Sequence, residues 1–271
     1  MAARYQLVAS DLDETLIPPS RIVGQHALDA IHAAMARGVR FVPSTGRNYA
    51  SIQDTLEQLG IAGRDDQYLI TLNGCDIRTC AGRGLHFSGL MPEQAAECFA
   101  KGKELGLCQH VYTRDHVWVC DLFESERNLL SNRLVHTVFD EPTLDFLGGE
   151  PVAKIIYVRE GEAWLRELAK QLPELTAQMD VTYSSDRYLE WMPRGVSKGS
   201  ALVQLCEMLG IPRETSMAIG DSSNDAEMVE AAGLGCGVAN ASEAFRPFCS
   251  EISDAPMDEG VAELIERFVL V

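Results

Sequence analysis

A chain of 271 residues, 46% hydrophobic and 23% charged, is long enough to bury a substantial core as one large or two ordinary domains. Its 40 acidic against 23 basic residues give a formal net charge of -17, which argues against nucleic acid or an anionic membrane as partner, since either needs a basic footprint. An anionic substrate would therefore need local positive potential from a metal, a Lys or Arg, or helix N-termini. The eight cysteines show no C-x-x-C and no zinc-like spacing with the six histidines, and no stretch approaches the roughly 18 apolar residues of a membrane span. With no apolar signal segment after Met1, reduced thiols in a cytoplasmic protein are expected.

In chain order, residues 7–10 read as a short strand that breaks into Asp11-Leu12-Asp13-Glu14-Thr15. Residues 26–37 read as a helix with Ala27, Leu28, Ile31 and Met35 on one face and Gly38 just past its end. Residues 39–43 form a second strand, and Ser44-Thr45-Gly46-Arg47 is expected to open a helix carrying Ile52, Leu56 and Leu59. Residues 68–72 make a third strand. Strands separated by helical segments point to βαβ units and a parallel sheet.

The texture changes after Asn73-Gly74. Residues 78–89 carry three glycines and suit a crossing or hairpin, Pro92 opens a helix to about residue 106, and residues 111–112 and 117–119 flank a polar turn. A strand over 152–158, a helix over 162–172 and a hairpin around Ser184-Ser185-Asp186 follow. His110 and His116 are expected on a hairpin surface. Trp118, Tyr183, Tyr188 and Trp191 are possible substrate contacts, although aromatic residues more often pack in a core.

From Ser197 the first texture returns. Ser197 caps a helix with Leu202, Leu205, Cys206 and Leu209 on one face, residues 217–219 form a strand, and Ser223 or Asn224 opens a helix to about Ala232. Residues 237–239 are expected as a final strand and 261–268 as a terminal helix. The fold class is α/β, a Rossmann-like parallel-sheet core with an inserted α+β domain. The core takes residues 1–80 and 193–271, and the insert 81–192.

Four short patterns follow predicted strands, where ligands gather in open α/β sheets. They are the Asp11/Asp13 pair, Ser44-Thr45-Gly46-Arg47, Val196-Ser197-Lys198-Gly199 in a first helical turn, and Gly220-Asp221-Ser222-Ser223-Asn224-Asp225. Each alone has an ordinary reading: a turn, a cap or a solvated lysine. Together they place Asp11, Asp13, Asp221 and Asp225 where mutual repulsion calls for a cation. Mg²⁺ prefers oxygen ligands and pairs one or two carboxylates with water and phosphate.

These motifs, in this order, resemble the haloacid dehalogenase superfamily of phosphatases, and most closely its Cof-type members with a C2 cap. The similarity extends to Leu72-Asn73-Gly74, the run from Glu190 to Gly199, Val238-Ala239-Asn240-Ala241 and Asp258-Glu259-Gly260-Val261-Ala262. The resemblance implies a Mg²⁺-dependent phosphatase of small phosphorylated metabolites such as sugar phosphates or cofactor-precursor phosphates, a monomer or small homo-oligomer. It makes Asp11 the nucleophile and Asp13 the general acid/base. Thr45 and Lys198 would hold the phosphoryl oxygens, and Asp11, the Asp13 carbonyl and Asp221 would bind the metal, with Asp225 a fourth candidate. Gly46, Arg47, Asn73, Asn224 and Asn240 match positions near the phosphate or substrate, and the insert would select the substrate.

The same aspartyl-phosphate also serves phosphotransferases and phosphomutases. Phospho-acceptor signalling modules share the acidic pocket, hydroxyl and lysine, but are much shorter and lack an insert. The chain departs from the family at Glu14, where a small residue or glycine is usual.

Overall fold

The computed structural model describes residues 4–131 and 134–271. Two compact units emerge: Met1–Gly46, Ile52–His86 and Ser197–Val271 form the first, and Arg47–Ser51 with Phe87–Val196 the second.

The first unit is built on a five-stranded parallel sheet. Its strands run in the order Glu251–Ile252, Leu234–Gly237, Ser216–Gly220, Leu7–Ser10, Arg40–Pro43. Leu7, Val8 and Ala9 are fully buried, as a strand covered on both faces requires, and this explains the unbroken apolar run. Leu7–Ser10 is an inner strand: the chain leaves it for Arg40–Pro43 on one side and returns on Ser216–Gly220 on the other. Such a reversal of strand order opens a crevice at the carboxyl ends of the adjacent strands Leu7–Ser10 and Ser216–Gly220. A further strand, Tyr68–Thr71, pairs antiparallel with Asp76–Thr79 in a three-stranded sheet that Gly84–Phe87 completes.

The helix Gln25–Ala36 buries Ala27, Ala30, Ile31 and Ala34. Its buried face is thus rotated from the predicted one, and Leu28 and Met35 are only half-buried. It packs beside Met257–Phe268, which starts four residues before the expected helix. The expected strand at 237–239 is displaced: the strand is Leu234–Gly237, and Glu251–Ile252 forms the sheet edge beyond it.

The second unit carries a six-stranded sheet in the order Met179–Ser184, Tyr188–Pro193, Val152–Val158, Cys108–Thr113, Val117–Cys120, Thr137–Val138. Its pairs are antiparallel except the last. Helices Pro92–Glu104 and Glu162–Lys170 cover an apolar face containing Phe99, Val111, Ile155, Tyr157, Leu165, Leu189 and Trp191. The whole is the expected α/β fold with an inserted α+β unit. No helix is long and apolar enough to cross a membrane.

Candidate active site

Asp11 is the first residue beyond the strand Leu7–Ser10. Its N–H donates to the Ile219 carbonyl at 2.9 Å, which carries the parallel ladder one step past Ser10 and fixes the Asp11 backbone in the crevice. Its carboxylate is almost wholly buried and accepts from Lys198 Nζ at 2.5 Å. The same ammonium donates to Asp225 Oδ1 at 2.7 Å. Lys198 opens the helix Lys198–Leu209, behind a Ser197 cap whose Oγ accepts from Ser200 N–H at 3.1 Å. A buried cation at a helix N-terminus opposes both the dipole and desolvation. Asp11 and Asp225 outweigh burial and hold the Lys198 ammonium above its ordinary range, fully protonated.

Asp221 follows the strand Ser216–Gly220, one residue further along the crevice. Its Oδ1 accepts from Thr15 Oγ1 at 2.8 Å, tying the first motif to the last. Asp225 is fully buried, and its Oδ2 accepts from the backbone amides of Asp221 at 3.2 Å and Ser222 at 3.3 Å. Ligand oxygens of Asp11, Asp221 and Asp225 all lie within 4.8 Å of one another. Burial pushes Asp11 well above the usual carboxylate range, with Lys198 opposing and Asp225 and Asp221 reinforcing the rise. Burial, then Asp225, pushes Asp221 up to about 7.

Three buried carboxylates against one ammonium leave an excess of negative charge, and every donor is a hard oxygen. That donor set fits a hard divalent cation. Asp11 and Asp221 are the better ligands, because both Asp225 oxygens already accept hydrogen bonds, from Lys198 and from two amides.

The other sequence candidates fall into three groups. Asp13 stands exposed in the turn that follows Asp11, where Thr15, Leu16 and Ile17 donate their N–H groups to the Leu12 carbonyl. Thr45, Gly46 and Asn73 lie together. Thr45 N–H donates to the Ile70 carbonyl at 2.9 Å and the Thr45 carbonyl accepts from Asn73 N–H at 3.0 Å. Gly46 packs so closely on Asn73 that a Cβ there would stand 2.7 Å from its Oδ1. Asn224 is half-buried beside Asp225, its Oδ1 accepting from Ser222 Oγ at 2.8 Å.

Asn240 and Arg47 have surroundings that spacing in the sequence does not reveal. The Asn240 amide is used at both ends, Nδ2 donating to the Glu14 carbonyl and Oδ1 accepting from Met257 N–H, each at 2.8 Å. Arg47 belongs to the second unit, where its charge acts on buried Tyr112. Nor does the 44–47 run open a helix. Ser44 and Thr45 continue the strand through bonds to Ser10 and Ile70, a 3₁₀ turn spans Tyr49–Ile52, and the α-helix is only Gln53–Gln58.

Sequence reading missed Thr15, whose hydroxyl holds Asp221, and the polar network of the second unit. His110, expected on a surface, is buried 3.3 Å from Glu126 on the unpredicted helix Glu124–Leu130. Glu126 also accepts from Tyr188 Oη at 2.7 Å and Arg187 at 3.0 Å. Burial holds His110 below its ordinary range and so neutral, while the donors around Glu126 hold that carboxyl low against burial. Nearby on the same sheet, Lys154 donates to Glu190 at 2.5 Å and Ser184 Oγ to the other Glu190 oxygen at 2.7 Å. Of the four aromatic candidates, Trp191 is a core residue, while Trp118, Tyr183 and Tyr188 are half-buried.

The model of the haloacid dehalogenase-like hydrolases matches residues 8–265. The chain belongs to that family. Among curated proteins, it is 30% identical over 88% of its length, and 85% of theirs, to the HMP-PP phosphatase of Serratia proteamaculans, and 32% identical over the same shares to that of Yersinia enterocolitica. Among solved structures, a haloacid dehalogenase-like hydrolase from B. subtilis superposes with a TM-score of 0.86 at 24% identity, covering 97% of this chain and 100% of that one. The subclass IIB sugar phosphatase BT4131 superposes at 0.84 with 20% identity over 97% and 98%, a likeness of fold. This haloacid dehalogenase-like hydrolase is a phosphatase, an enzyme of phosphoester bonds.

Proposed function

We propose that the chain hydrolyses phosphomonoesters of small metabolites with Mg²⁺, through an aspartyl-phosphate on Asp11. The observation that carries this reading is the placement of Asp11. It is a buried carboxylate at the strand-order reversal, held 2.5 Å from an ammonium and grouped with Asp221 and Asp225. A nucleophile so fixed can attack phosphorus only with its own charge and that of the phosphate offset. Lys198 supplies part of this, and Thr45 supplies a hydroxyl on the neighbouring strand end. Mg²⁺, held by Asp11, Asp221 and the Asp13 carbonyl, would offset phosphate charge and orient the ester. Asp225 fixes the Lys198 ammonium. Asp13, exposed and one turn from Asp11, protonates the departing alcohol and then takes a proton from the water that releases phosphate.

The relatives named as HMP-PP and sugar phosphatases support a small phosphorylated metabolite as substrate, and the excess of acidic residues argues against nucleic acid. The second unit acts as the cap that reads the alcohol portion. Eight free cysteines fit a reducing, cytoplasmic compartment.

The test is turnover of p-nitrophenyl phosphate with Mg²⁺ and its loss in Asp11→Asn. Activity undiminished by that change would remove Asp11 as nucleophile. Reaction in ¹⁸O-water places label in released phosphate for a hydrolase, whereas transfer to a second alcohol makes the enzyme a phosphotransferase.

A further inference from the structure

Five described non-glycine residues of the first unit hold left-handed backbone, Glu14, Arg21, Leu72, Asn73 and Met257, and one side chain joins two of them, Glu14 at φ 62° and Met257 at φ 51°. Asn240 Nδ2 donates to the Glu14 carbonyl and Asn240 Oδ1 accepts from Met257 N–H, each at 2.8 Å. A left-handed Glu or Met is disfavoured for any L-residue with a bulky side chain and persists only where its surroundings fix it. The turn that presents Asn240 is itself anchored. Ala239 N–H donates to the Ala255 carbonyl at 3.1 Å, Ser242 N–H to the Asp221 carbonyl at 2.9 Å, and Arg246 Nε to the Ala241 carbonyl at 3.0 Å.

Glu14 directly follows exposed Asp13 in the turn from Leu12 to Ile17, and the direction in which the Asp13 carboxyl leaves the backbone is set by that turn. It is pinned on its far side by Thr15 Oγ1 on Asp221 at 2.8 Å and on its near side by Asn240 on Glu14. With the near pin gone, Glu14 can relax toward ordinary right-handed backbone, and the Asp13–Glu14 peptide turns with it.

We infer that Asn240 is a positioning residue for Asp13, holding Glu14 left-handed so that the Asp13 carboxyl points at the departing oxygen. It acts through the turn and not as a phosphate contact. This rests on the phosphatase reading above, with Asp13 as proton donor. A leaving group that departs without a proton gains little from that donor, and one that needs a proton gains a great deal.

The experiment compares kcat/KM for p-nitrophenyl phosphate and phenyl phosphate, two esters of similar shape and unequal leaving-group basicity, in wild type, Asn240→Ala, Asn240→Asp and Asn240→Ala/Glu14→Gly. Asn240→Asp keeps an acceptor for Met257 N–H and loses the donor to Glu14, so it tests the Glu14 bond even if Asn240→Ala does not fold. Assayed at saturating Mg²⁺, because the Asp13 carbonyl proposed as a metal ligand turns with the same peptide, both single variants are expected to lose tenfold or more on phenyl phosphate and less than threefold on p-nitrophenyl phosphate. Glu14→Gly, which removes the left-handed penalty, is expected to recover at least threefold on phenyl phosphate. Equal losses on both esters, no loss on either, or no recovery with glycine overturns the assignment while leaving the phosphatase reading intact. Wild-type protein that turns over neither ester fails the phosphatase reading, and this inference with it.

Discussion

Asp221→Asn is expected to stabilise the metal-free protein while disabling the enzyme. Burial and the Asp225 carboxylate push Asp221 from its ordinary 3.8 up to about 7. The sign follows from linkage. An acid whose folded pKa lies above its unfolded value binds its proton more tightly when folded, so stability falls as pH rises from 3.8 toward 7 and the full penalty applies at pH 8. Three units at about 1.4 kcal/mol each set a ceiling near 4 kcal/mol. Sharing with Asp11 and Asp225 brings the value to the order of 2–4 kcal/mol, and Asp221 is buried enough that solvent screening takes little away.

Asparagine keeps the oxygen that accepts from Thr15 and sheds the charge. In EDTA at pH 8 the variant should melt several degrees above wild type, at roughly 2–4 °C per kcal/mol for chains near this size. Added Mg²⁺ should raise the wild-type midpoint and leave the variant nearly unmoved, since binding to the folded state alone stabilises by mass action. Scanning calorimetry with and without metal reads both effects. A variant that melts at or below wild type in EDTA refutes the electrostatic reasoning, and equal Mg²⁺ shifts refute Asp221 as a ligand.

Other perturbations reach the scaffold. Gly74→Ala places a Cβ 2.1 Å from the Ser197 carbonyl oxygen at a backbone φ of +103°, so the Asn73 turn must move off the start of the Lys198 helix. Denaturant titration should show a loss above about 2 kcal/mol, with kcat/KM reduced in the folded fraction. Glu126→Ala leaves His110, Tyr188 and Arg187 without their shared acceptor and should cost the second unit about 3 kcal/mol, read as a lower urea midpoint. His26, paired with Glu259 and Glu266, is raised from 6.5 to about 9. Its stabilisation is complete below pH 6.5 and is lost as pH rises through 9, by no more than about 1 kcal/mol because the group is half exposed. His26→Gln should flatten the melting midpoint across that window, more visibly at low salt.

Much of the core was legible because its signals are local. Leu7 to Ser10 reads as an inner strand because burial on both faces leaves no polar alternation, and the helix after Ser197 announces itself by its Ser197 cap and the apolar face of Leu202, Leu205 and Cys206. Ser44 and Thr45 misled for a related reason. Hydroxyl residues ahead of apolar helical spacing look like an N-cap, yet here their amides extend the sheet, and Ile52 and Leu56 belong to the 3₁₀ turn from Tyr49 and the helix Gln53–Gln58 that follows it. His110 misled because its cover comes from elsewhere. One face of its strand packs apolar residues and was visible, whereas the other is closed by Glu126 from a seven-residue helix too short to show a period. Asn240 and Glu14 are 226 residues apart, and no spacing rule connects them.

A glycine in place of Glu14 would adopt the left-handed turn without strain, and this chain keeps a glutamate and holds it with an asparagine from the opposite end of the sequence. The carboxylate is not electrically neutral to the site, since its charge adds to the upward push on Asp221. Asp11, Asp221 and Asp225 already exceed the single Lys198 ammonium, and Glu14 deepens that excess. A crevice so charged attracts a divalent cation and repels a phosphate ester until the cation is in place. On the proposed function, the expected order of binding is metal before substrate, read as inhibition by phosphate that appears only once Mg²⁺ is present, and it arises from the same carboxylates that burden the metal-free fold.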